Sequence, residues 1–427
     1  MKLFIVIFLV LCCSCSYAEE AQFADVFASR ARQLKLAVDS PINGNNAPFP
    51  EVAKEMVETL SFDLNMSGTV VAETREQGSQ AAGIAMSGMD FSPLLTGGYD
   101  LLVRSEYAIK GQDLTLEFRL FDVVNKKLIV AKRYLGNRRD LRFFTHSFAN
   151  QIVGQIDKEG GLGSFTSRIA YVTTGSGNKE IALMDWDGNN IHPITRNGSI
   201  NLNPVFSPDG KELLFTSYKN GNPDLFRRTL SSGVDMKLSG RKGLNITGSW
   251  SPDGTRIALS LSKDGNSEIY TLDRNGNNPV RLTVNPAIDV SPVWSPDSSR
   301  LAFVSDRFGA PQIFVMNADG SNVRRLTTSG SYNVNPAWSP KGDRIAYTKQ
   351  QGGFQIYTID VDGSNDTQLT TSGNNENPAW SPDGRIIAYS SKQGGVEAIQ
   401  VMRSNGTGSI RISKGKGRAT QPSWSPP

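Results

Sequence analysis

The chain has 427 residues, with 45 lysines and arginines against 41 aspartates and glutamates, and a net charge of +4. Such a mild charge does not indicate nucleic-acid binding, which needs a concentrated basic surface. The length allows a large hydrophobic core, and no apolar stretch after residue 18 approaches the roughly 20 residues of a membrane-spanning helix.

Residues 1–18 have the pattern of a secretory signal peptide. Lys2 precedes an apolar run, and the small residues ending at Ala18 form a cleavage site, so the mature chain is expected to begin at Glu19. All three cysteines precede that site, and lipid attachment at Cys15 is the alternative interpretation. We therefore expect a periplasmic protein without disulfides.

Residues 19–33 are predicted to form an N-terminal arm and residues 34–159 a small α/β domain. The domain prediction depends on apolar residues at helical spacing and on an alternation typical of strands. The predicted elements are helices at 50–66 and 141–156 and strands at 99–109, 114–120 and 127–134. The glycine-rich residues 160–164 are predicted to be a short hinge.

Residues 165–427 are organised by six copies of one phrase, an aromatic residue followed by Ser-Pro. The aromatic residues recur every 42 or 44 positions, at Phe206, Trp250, Trp294, Trp338, Trp380 and Trp424. An apolar strand follows each of the first five, and turns rich in Gly, Asn and Asp separate further strands, which makes four short strands per repeat. This period is typical of the blades of a β-propeller.

The two ends of the repeat region indicate how the ring closes. The apolar strand at Arg168 has no phrase before it, and the phrase at Trp424 has no strand after it. The C-terminal strand is therefore predicted to complete the blade that begins at Arg168, which leaves no sheet edge exposed. The predicted fold is an α/β N-terminal domain followed by an all-β six-bladed propeller closed by its C-terminal strand.

No motif of a known catalytic chemistry stands out. The chain has no Gly-x-Ser-x-Gly, and its two histidines, His146 and His192, lack a neighbouring nucleophile and carboxylate. The Asp-Gly sequences are typical of hairpin turns rather than of calcium loops. We expect no enzymatic activity, no metal and no cofactor.

Strand parity sorts the propeller loops onto two faces. The turn face carries the Ser-Pro-Asp-Gly turns with Asp209, Asp253, Asp297 and Asp383, and the connection face carries the loops after the second strands and the connections between blades. The connection face also collects five cations, Lys219, Lys263, Arg307, Lys349 and Lys392. Their recurrence predicts a salt-sensitive positive potential suited to an acidic partner. The alternative is that surface loops carry charges without a shared role.

The chain resembles the TolB family, the periplasmic propeller proteins of the Tol-Pal envelope system. The resemblance covers the chain from about residue 34 and is carried by the six phrases and by three further segments. These are Leu141 to His146, Ser167 to Val172 and Pro422 to Pro426. It implies a non-enzymatic, protein-binding role.

The resemblance also implies partners and contact positions. It implies binding of the peptidoglycan-associated lipoprotein Pal on the propeller and of the inner-membrane-linked TolA through the N-terminal region, for outer-membrane integrity and constriction during cell division. The family's lipoprotein contacts correspond to Leu244, Thr247 and Val290, which are more apolar here than is usual. The family's TolA-binding segment is the mature N-terminus, so residues 19–33 are an open assignment.

Two other functions remain as alternatives. A propeller enzyme acting on a periplasmic glycan would need catalytic groups that the sequence does not display. A protein that binds a small ligand in its channel would need side chains converging from the inner strands, and Asn203, Asn335 and Asn377 are the candidates for that role.

Overall fold

A computed structural model describes residues 33–76, 83–157 and 163–427 of the chain. The predicted signal peptide, its cleavage site at Ala18 and Glu19, the three cysteines and all of the arm except Gln33 lie outside the described residues. Within the described ranges, no helix combines the length and the apolar character that crossing a membrane requires.

The N-terminal domain is a mixed sheet with two long helices on one face. The strands are β1 (Leu34–Asp39), β2 (Ile42–Asn43), β3 (Val70–Arg75), β4 (Leu101–Lys110), β5 (Asp113–Asp122) and β6 (Lys127–Asn137), in the order β3-β1-β4-β5-β6 with β2 beside β4. The helices are α1 (Pro50–Ser67), α2 (Ser92–Thr96) and α3 (Leu141–Ile156), with a 3-10 turn at Arg138–Asp140. Both predicted helices and all three predicted strands are present.

Apolar spacing explains how this domain packs. Helix α1 begins with a proline in its first turn, ends at Gly68 with φ of 73°, and buries Val52, Met56 and Leu60. Strand β5 alternates and buries Leu114, Leu116, Phe118 and Leu120 on the face that the two long helices cover. The short helix α2 covers part of the other face of the sheet.

The propeller has six four-stranded blades, numbered I to VI. Blade I contains β7 (Arg168–Thr173), β8 (Glu180–Asp185), β9 (His192–Pro193) and the final strand β30 (Ala419–Trp424). Blade II contains β10 (Asn201–Phe206), β11 (Glu212–Ser217), β12 (Asp224–Thr229) and β13 (Asp235–Ser239); blade III contains β14 (Asn245–Trp250), β15 (Arg256–Leu261), β16 (Glu268–Asp273) and β17 (Val280–Arg281). Blade IV contains β18 (Asp289–Trp294), β19 (Arg300–Ser305), β20 (Gln312–Asn317) and β21 (Arg324–Arg325). Blade V contains β22 (Asn333–Trp338), β23 (Arg344–Gln350), β24 (Phe354–Asp360) and β25 (Thr367–Gln368); blade VI contains β26 (Asn374–Trp380), β27 (Ile386–Gln393), β28 (Val396–Arg403) and β29 (Ile410–Arg411).

The repeated phrase is a turn that its own side chains stabilise. In blade IV the Ser295 hydroxyl donates to Asp297 at 2.5 Å, and the backbone N–H of Ser299 donates to the same carboxylate at 3.0 Å. These hydrogen bonds, with one from the Ser299 hydroxyl, lower the pKa of Asp297 to about 2. The corresponding serine and aspartate pair at 2.6 Å in blades II, III and VI.

The ring closes as predicted, by the C-terminal strand. Strand β30 pairs antiparallel with β7, with Trp424 opposite Ile169 and Ala419 opposite Thr173. The Trp424 indole N–H donates to the carbonyl of Ala379 in blade VI at 3.0 Å, so the same residue joins blade I to its neighbour. The C-terminal strand therefore pairs with β7 inside blade I and also contacts blade VI.

The N-terminal domain packs against the turn face of blades I and VI. Trp186, in the turn between β8 and β9, is fully buried, with its ring 4.9 Å from that of Phe62 in α1, 5.2 Å from that of Phe165 and 6.3 Å from that of Trp424. One continuous hydrophobic core joins the helices of this domain to both blades.

A buried polar cluster accompanies this apolar contact. Arg142 of α3 pairs with Asp187 of blade I and with Glu55 at 3.2 Å. His146 lies 2.7 Å from Asp63 and 3.4 Å from Asp187. His146 therefore has a structural position, and the two carboxylates beside it were not predicted from the sequence. The interface is held by matched charges as well as by aromatic packing.

Deleting residues 419–427 should open the ring, because β7 would lose the strand that pairs with it. We expect a lower thermal midpoint and faster amide hydrogen exchange in β7, while exchange in β19 changes little. The single substitution Trp424→Ala should lower the free energy of unfolding by about 3–5 kcal/mol. Full protection of β7 in the deletion variant would contradict this account of closure.

The substitution Asp187→Asn should weaken the domain interface, since the largely buried Arg142 would lose its buried partner and keep only the more exposed Glu55. Breaking a buried pair costs about 3–5 kcal/mol, and calorimetry should show the N-terminal domain unfolding at a lower temperature. Asp362→Asn is the matched control, because Asp362 has the same place in a blade V turn and likewise accepts an N–H from two residues further on. Equal effects of the two substitutions would exclude a special role for Asp187.

Candidate partner-binding face

The six first strands form the innermost ring of the propeller. Strands β10, β14, β18, β22, β26 and β30 contact one another in sequence around the axis, so they line the channel. Each contains a bulge where its register with the second strand shifts. This irregularity determines the backbone at the positions of the predicted channel residues.

The three predicted asparagines lie in these bulges. Asn203, Asn335 and Asn377 have φ of 50°, 53° and 56°, in the left-handed region that asparagine tolerates better than most residues. The Asn203 N–H donates to Gln421 at 3.0 Å, and the Asn377 N–H donates to the Thr348 hydroxyl at 3.2 Å. Backbone conformation thus accounts for these residue types, and their convergence on a channel ligand stays a prediction. Asn377 also lines a cavity of about 190 Å³ between blades VI and I.

The positive potential predicted for the connection face stays a prediction, but the five cations behind it are not free charges. All five predicted cations form ion pairs: Lys219 with Asp235 at 2.7 Å, Lys263 with Asp264 at 2.7 Å, Arg307 with Asp289 at 3.0 Å, Lys349 with Asp366 at 2.9 Å and Lys392 with Glu397 at 3.9 Å. Although burial raises the pKa of Asp366, hydrogen bonds from Lys349, Tyr347 and Ser329 outweigh it and lower that pKa. The charges of these five side chains are therefore largely neutralised in place.

Four of the cations have a second structural contact, with an aromatic ring of the third strand. The distances to the ring centroid are 4.0 Å for Lys219 over Phe226, 5.0 Å for Lys263 over Tyr270, 4.9 Å for Arg307 over Phe314 and 4.5 Å for Lys349 over Tyr357. Burial and a hydrogen bond to Asp264 raise the pKa of Tyr270 to about 12. Packing within each blade explains why the cations recur.

An arc of exposed apolar side chains lies on the connection face. Ile200, Leu244, Ile288 and Tyr332, each six positions before the aromatic residue of a phrase, expose 44%, 40%, 50% and 37% of their surface. Blades VI and I have Asn374 and Arg418 at this position, so the arc spans blades II to V. Their recurrence at one position of the repeat makes them candidates for a partner contact.

Only Leu244 of this arc was among the predicted contact residues. The other three could have been found from the sequence, because an apolar residue recurs at the same distance before the phrase in four successive repeats. Val284 and Phe308, exposed by 75% and 67%, lie in neighbouring loops of the same face. These side chains add exposed apolar area to the connection face.

The predicted lipoprotein contacts come together on adjoining strands. Leu244 immediately precedes β14, Thr247 lies within β14, where it pairs with Leu259, and Val290 lies within β18, where it pairs with Val304. Strands β14 and β18 are neighbours in the inner ring. The three positions therefore share one sector of the connection face, beside the arc.

One group of side chains among the described residues has the spacing of metal ligands. His146, Asp185 and Asp187 offer atoms within 4.8 Å of one another. Asp187 already pairs with Arg142, and His146 with Asp63, at the domain interface. Their positions are explained by the charges that surround them.

These features define a class of protein: a six-bladed propeller that holds an α/β domain on its turn face and presents an apolar arc on the other. Residues 24–129 match the family model described as the TolB amino-terminal domain. Residues 159–427 match the one described as the TolB beta propeller domain. The chain belongs to the TolB family.

Individual relatives agree with this assignment. The chain is 55% identical over 427 residues to the Tol-Pal system protein TolB of Geobacter metallireducens, covering 100% of this chain and 99% of that protein. It is 55% identical over 407 residues to the protein of the same name from Geobacter sulfurreducens, covering 95% and 94%. The crystal structure of TolB from Acinetobacter baumannii superposes with a TM-score of 0.81 at 24% identity, covering 93% of this chain and 97% of that chain, so the two share a fold.

Replacing Arg307 should test the structural role of the cations. Arg307→Gln would leave Asp289, whose side chain is fully buried, without its charged partner, and we expect a loss of about 3 kcal/mol in the free energy of unfolding. Lys263→Gln affects a more exposed pair and should cost less than about 1 kcal/mol. Urea unfolding gives the free energy of unfolding of both variants. Equal small losses would show that the buried Arg307–Asp289 pair does not contribute to stability.

Proposed function

We propose that this protein is the periplasmic, non-enzymatic partner-binding component of a Tol-Pal complex. Its propeller binds the peptidoglycan-associated lipoprotein Pal, and its N-terminal region binds TolA. The complex so formed supports outer-membrane integrity and constriction during cell division. Family membership over the full chain is the observation that carries this proposal.

The arrangement of the two faces supports separate sites for two partners. The N-terminal domain covers turn-face residues of blades I and VI, through contacts such as Arg385 with Asp157 at 2.7 Å and Arg403 with the carbonyl of Asn65 at 2.7 Å. The connection face is on the opposite side and holds the apolar arc with Leu244, Thr247 and Val290. A partner on that face leaves the N-terminal region free for another.

The composition of the connection face indicates how Pal is bound. Apolar side chains supply contact area that loses water on binding, and such residues at the centre of an interface contribute most of its affinity. Because the five cations are paired with carboxylates, long-range attraction should contribute less than the number of lysines and arginines suggests. Binding should therefore weaken only modestly as salt is raised.

Calorimetric titration with the soluble domain of the same organism's Pal, at two salt concentrations, tests the proposal. We expect saturable one-to-one binding. The variants Leu244→Ser and Ile288→Ser should each weaken it roughly tenfold, which corresponds to about 1.4 kcal/mol. Leu135→Ser is the control, because Leu135 is 70% exposed but lies on the N-terminal domain.

Two outcomes would count against this assignment. No binding at high micromolar concentration by protein shown to be folded would exclude Pal as the partner. Binding that none of the connection-face variants affects would move the Pal site elsewhere on the molecule. In that second case the family assignment would stand and the proposed face would be wrong.

The N-terminal arm is tested by shortening the chain. A protein that begins at Leu34 keeps β1, whose first residue this is, and lacks residues 19–33. If the arm binds TolA, this protein should lose TolA binding and keep Pal binding. Retained TolA binding would exclude the arm and indicate the α/β domain itself.

A further inference from the structure

Blade I departs from the packing that four other blades share. In blades II to V, an aromatic side chain of the third strand lies opposite a large residue of the second strand: Phe226 opposite Phe215, Tyr270 opposite Leu259, Phe314 opposite Phe303 and Tyr357 opposite Tyr347. A cation then covers each aromatic ring. In blades II to V, this stack of a cation and two facing side chains fills the end of the blade beside the connection face.

Blade I lacks two members of that stack, the aromatic ring of the third strand and the cation that covers it. Ala182 lies opposite Tyr171, where blades II to V have the aromatic ring. Gly175 has the place in the repeat that Lys219, Lys263 and Arg307 have in blades II to IV. A Cβ atom on Gly175 would lie 2.9 Å from the carbonyl oxygen of Lys416, so the adjoining loop favours glycine there.

The missing side chains leave a cavity of about 660 Å³. Its wall includes Tyr171, which is 4% exposed. The hydroxyls of Tyr347 and Tyr389, at the same position, bond to Asp366 at 2.5 Å and to Gln400 at 2.9 Å. Within the part of the chain that the structure describes, the Tyr171 hydroxyl has no such partner. Burial raises the pKa of Tyr171, which keeps its proton available for donation.

The cavity has a positive rim. Arg196, Lys414 and Lys416 line it and are exposed. Unlike the five cations discussed above, they form no ion pair with any carboxylate of the described residues. The Lys414 ammonium donates to Asn189 at 2.6 Å. Glu180 also lines the cavity, and each of its two carboxylate oxygens accepts a hydrogen bond from the protein, from the Gly198 N–H at 2.9 Å and from Asn201 at 3.0 Å.

We propose that this cavity is a binding site for an aromatic carboxylate. The ring takes the place left by Ala182, against the apolar wall of Ile191 and Pro193; the carboxylate pairs with the lysines and arginine of the rim. The Tyr171 hydroxyl donates a hydrogen bond to the ligand. Such a ligand is either a free small acid or the C-terminal aromatic residue of a polypeptide. The site is separate from the apolar arc and does not depend on the proposed function.

Ligand-observed NMR titration of the mature protein tests the site, with phenylacetate as the probe. We expect a dissociation constant of about 0.1–1 mM, as for an efficient small ligand. Cyclohexylacetate keeps the carboxylate but lacks the flat aromatic ring, and benzylamine keeps the ring but carries a positive charge. Both should bind at least fivefold more weakly than phenylacetate. N-acetylphenylalanine separates the two sources, because tighter binding than phenylacetate identifies a chain end and weaker binding a free acid.

Variants locate the binding. Ala182→Phe introduces an aromatic side chain like those of blades II to V and should weaken phenylacetate binding at least tenfold. The double variant Lys414→Gln, Lys416→Gln should weaken it at least fivefold without touching the core, so it decides the matter if Ala182→Phe is not folded. Lys132→Gln, on the exposed strand β6, is the control. Unchanged binding in Ala182→Phe or in the double variant, or equal binding of all three small probes, would overturn the proposal.

Discussion

Pairing of β30 with β7 is the contact on which the rest of the structure depends. It joins residues 419–424 to residues 169–173, so the whole propeller must be in place before the pair can form. Once formed, it brings all six first strands around one axis, creating the channel and separating the two faces. The turn glycines reinforce this ring: Gly384 lies beside Pro340 of the preceding turn, and Gly210 beside Pro426.

A repeat produces recurring surface charges for structural reasons, and the connection face illustrates this. A lysine or arginine that packs over an aromatic ring and pairs with a carboxylate recurs in successive blades because the packing recurs. What distinguishes the proposed partner-binding surface is a feature that the packing does not require, the exposed apolar position before the first strands of blades II to V. In blade I the informative feature is an absence, because Ala182 lies where blades II to V repeat an aromatic side chain.

The sequence alone was sufficient to predict the blades, their number, their closure and the helical faces, because these follow from local periodicity. The ion pairs of these cations were not predicted. Two of the carboxylate partners lie well apart from their cations in sequence: Asp289 is 18 residues before Arg307, and Asp366 is 17 residues after Lys349. Contacts such as His146 with Asp63, 83 residues apart, also require the folded chain. The exposed arc was within reach of sequence reasoning but needed a comparison of equivalent positions across repeats.

The N-terminal domain rests on the one place where the ring can separate. Trp186 contacts Phe62 of that domain on one side and Trp424 of the closing strand on the other, and the domain also contacts blade VI through Arg385. A mechanical load applied to the N-terminal domain would therefore be transmitted to the β7–β30 pair within blade I, which closes the ring. Pulling the protein from that end would strain the closing strand first, before the interior of blades II to V bears any of the force.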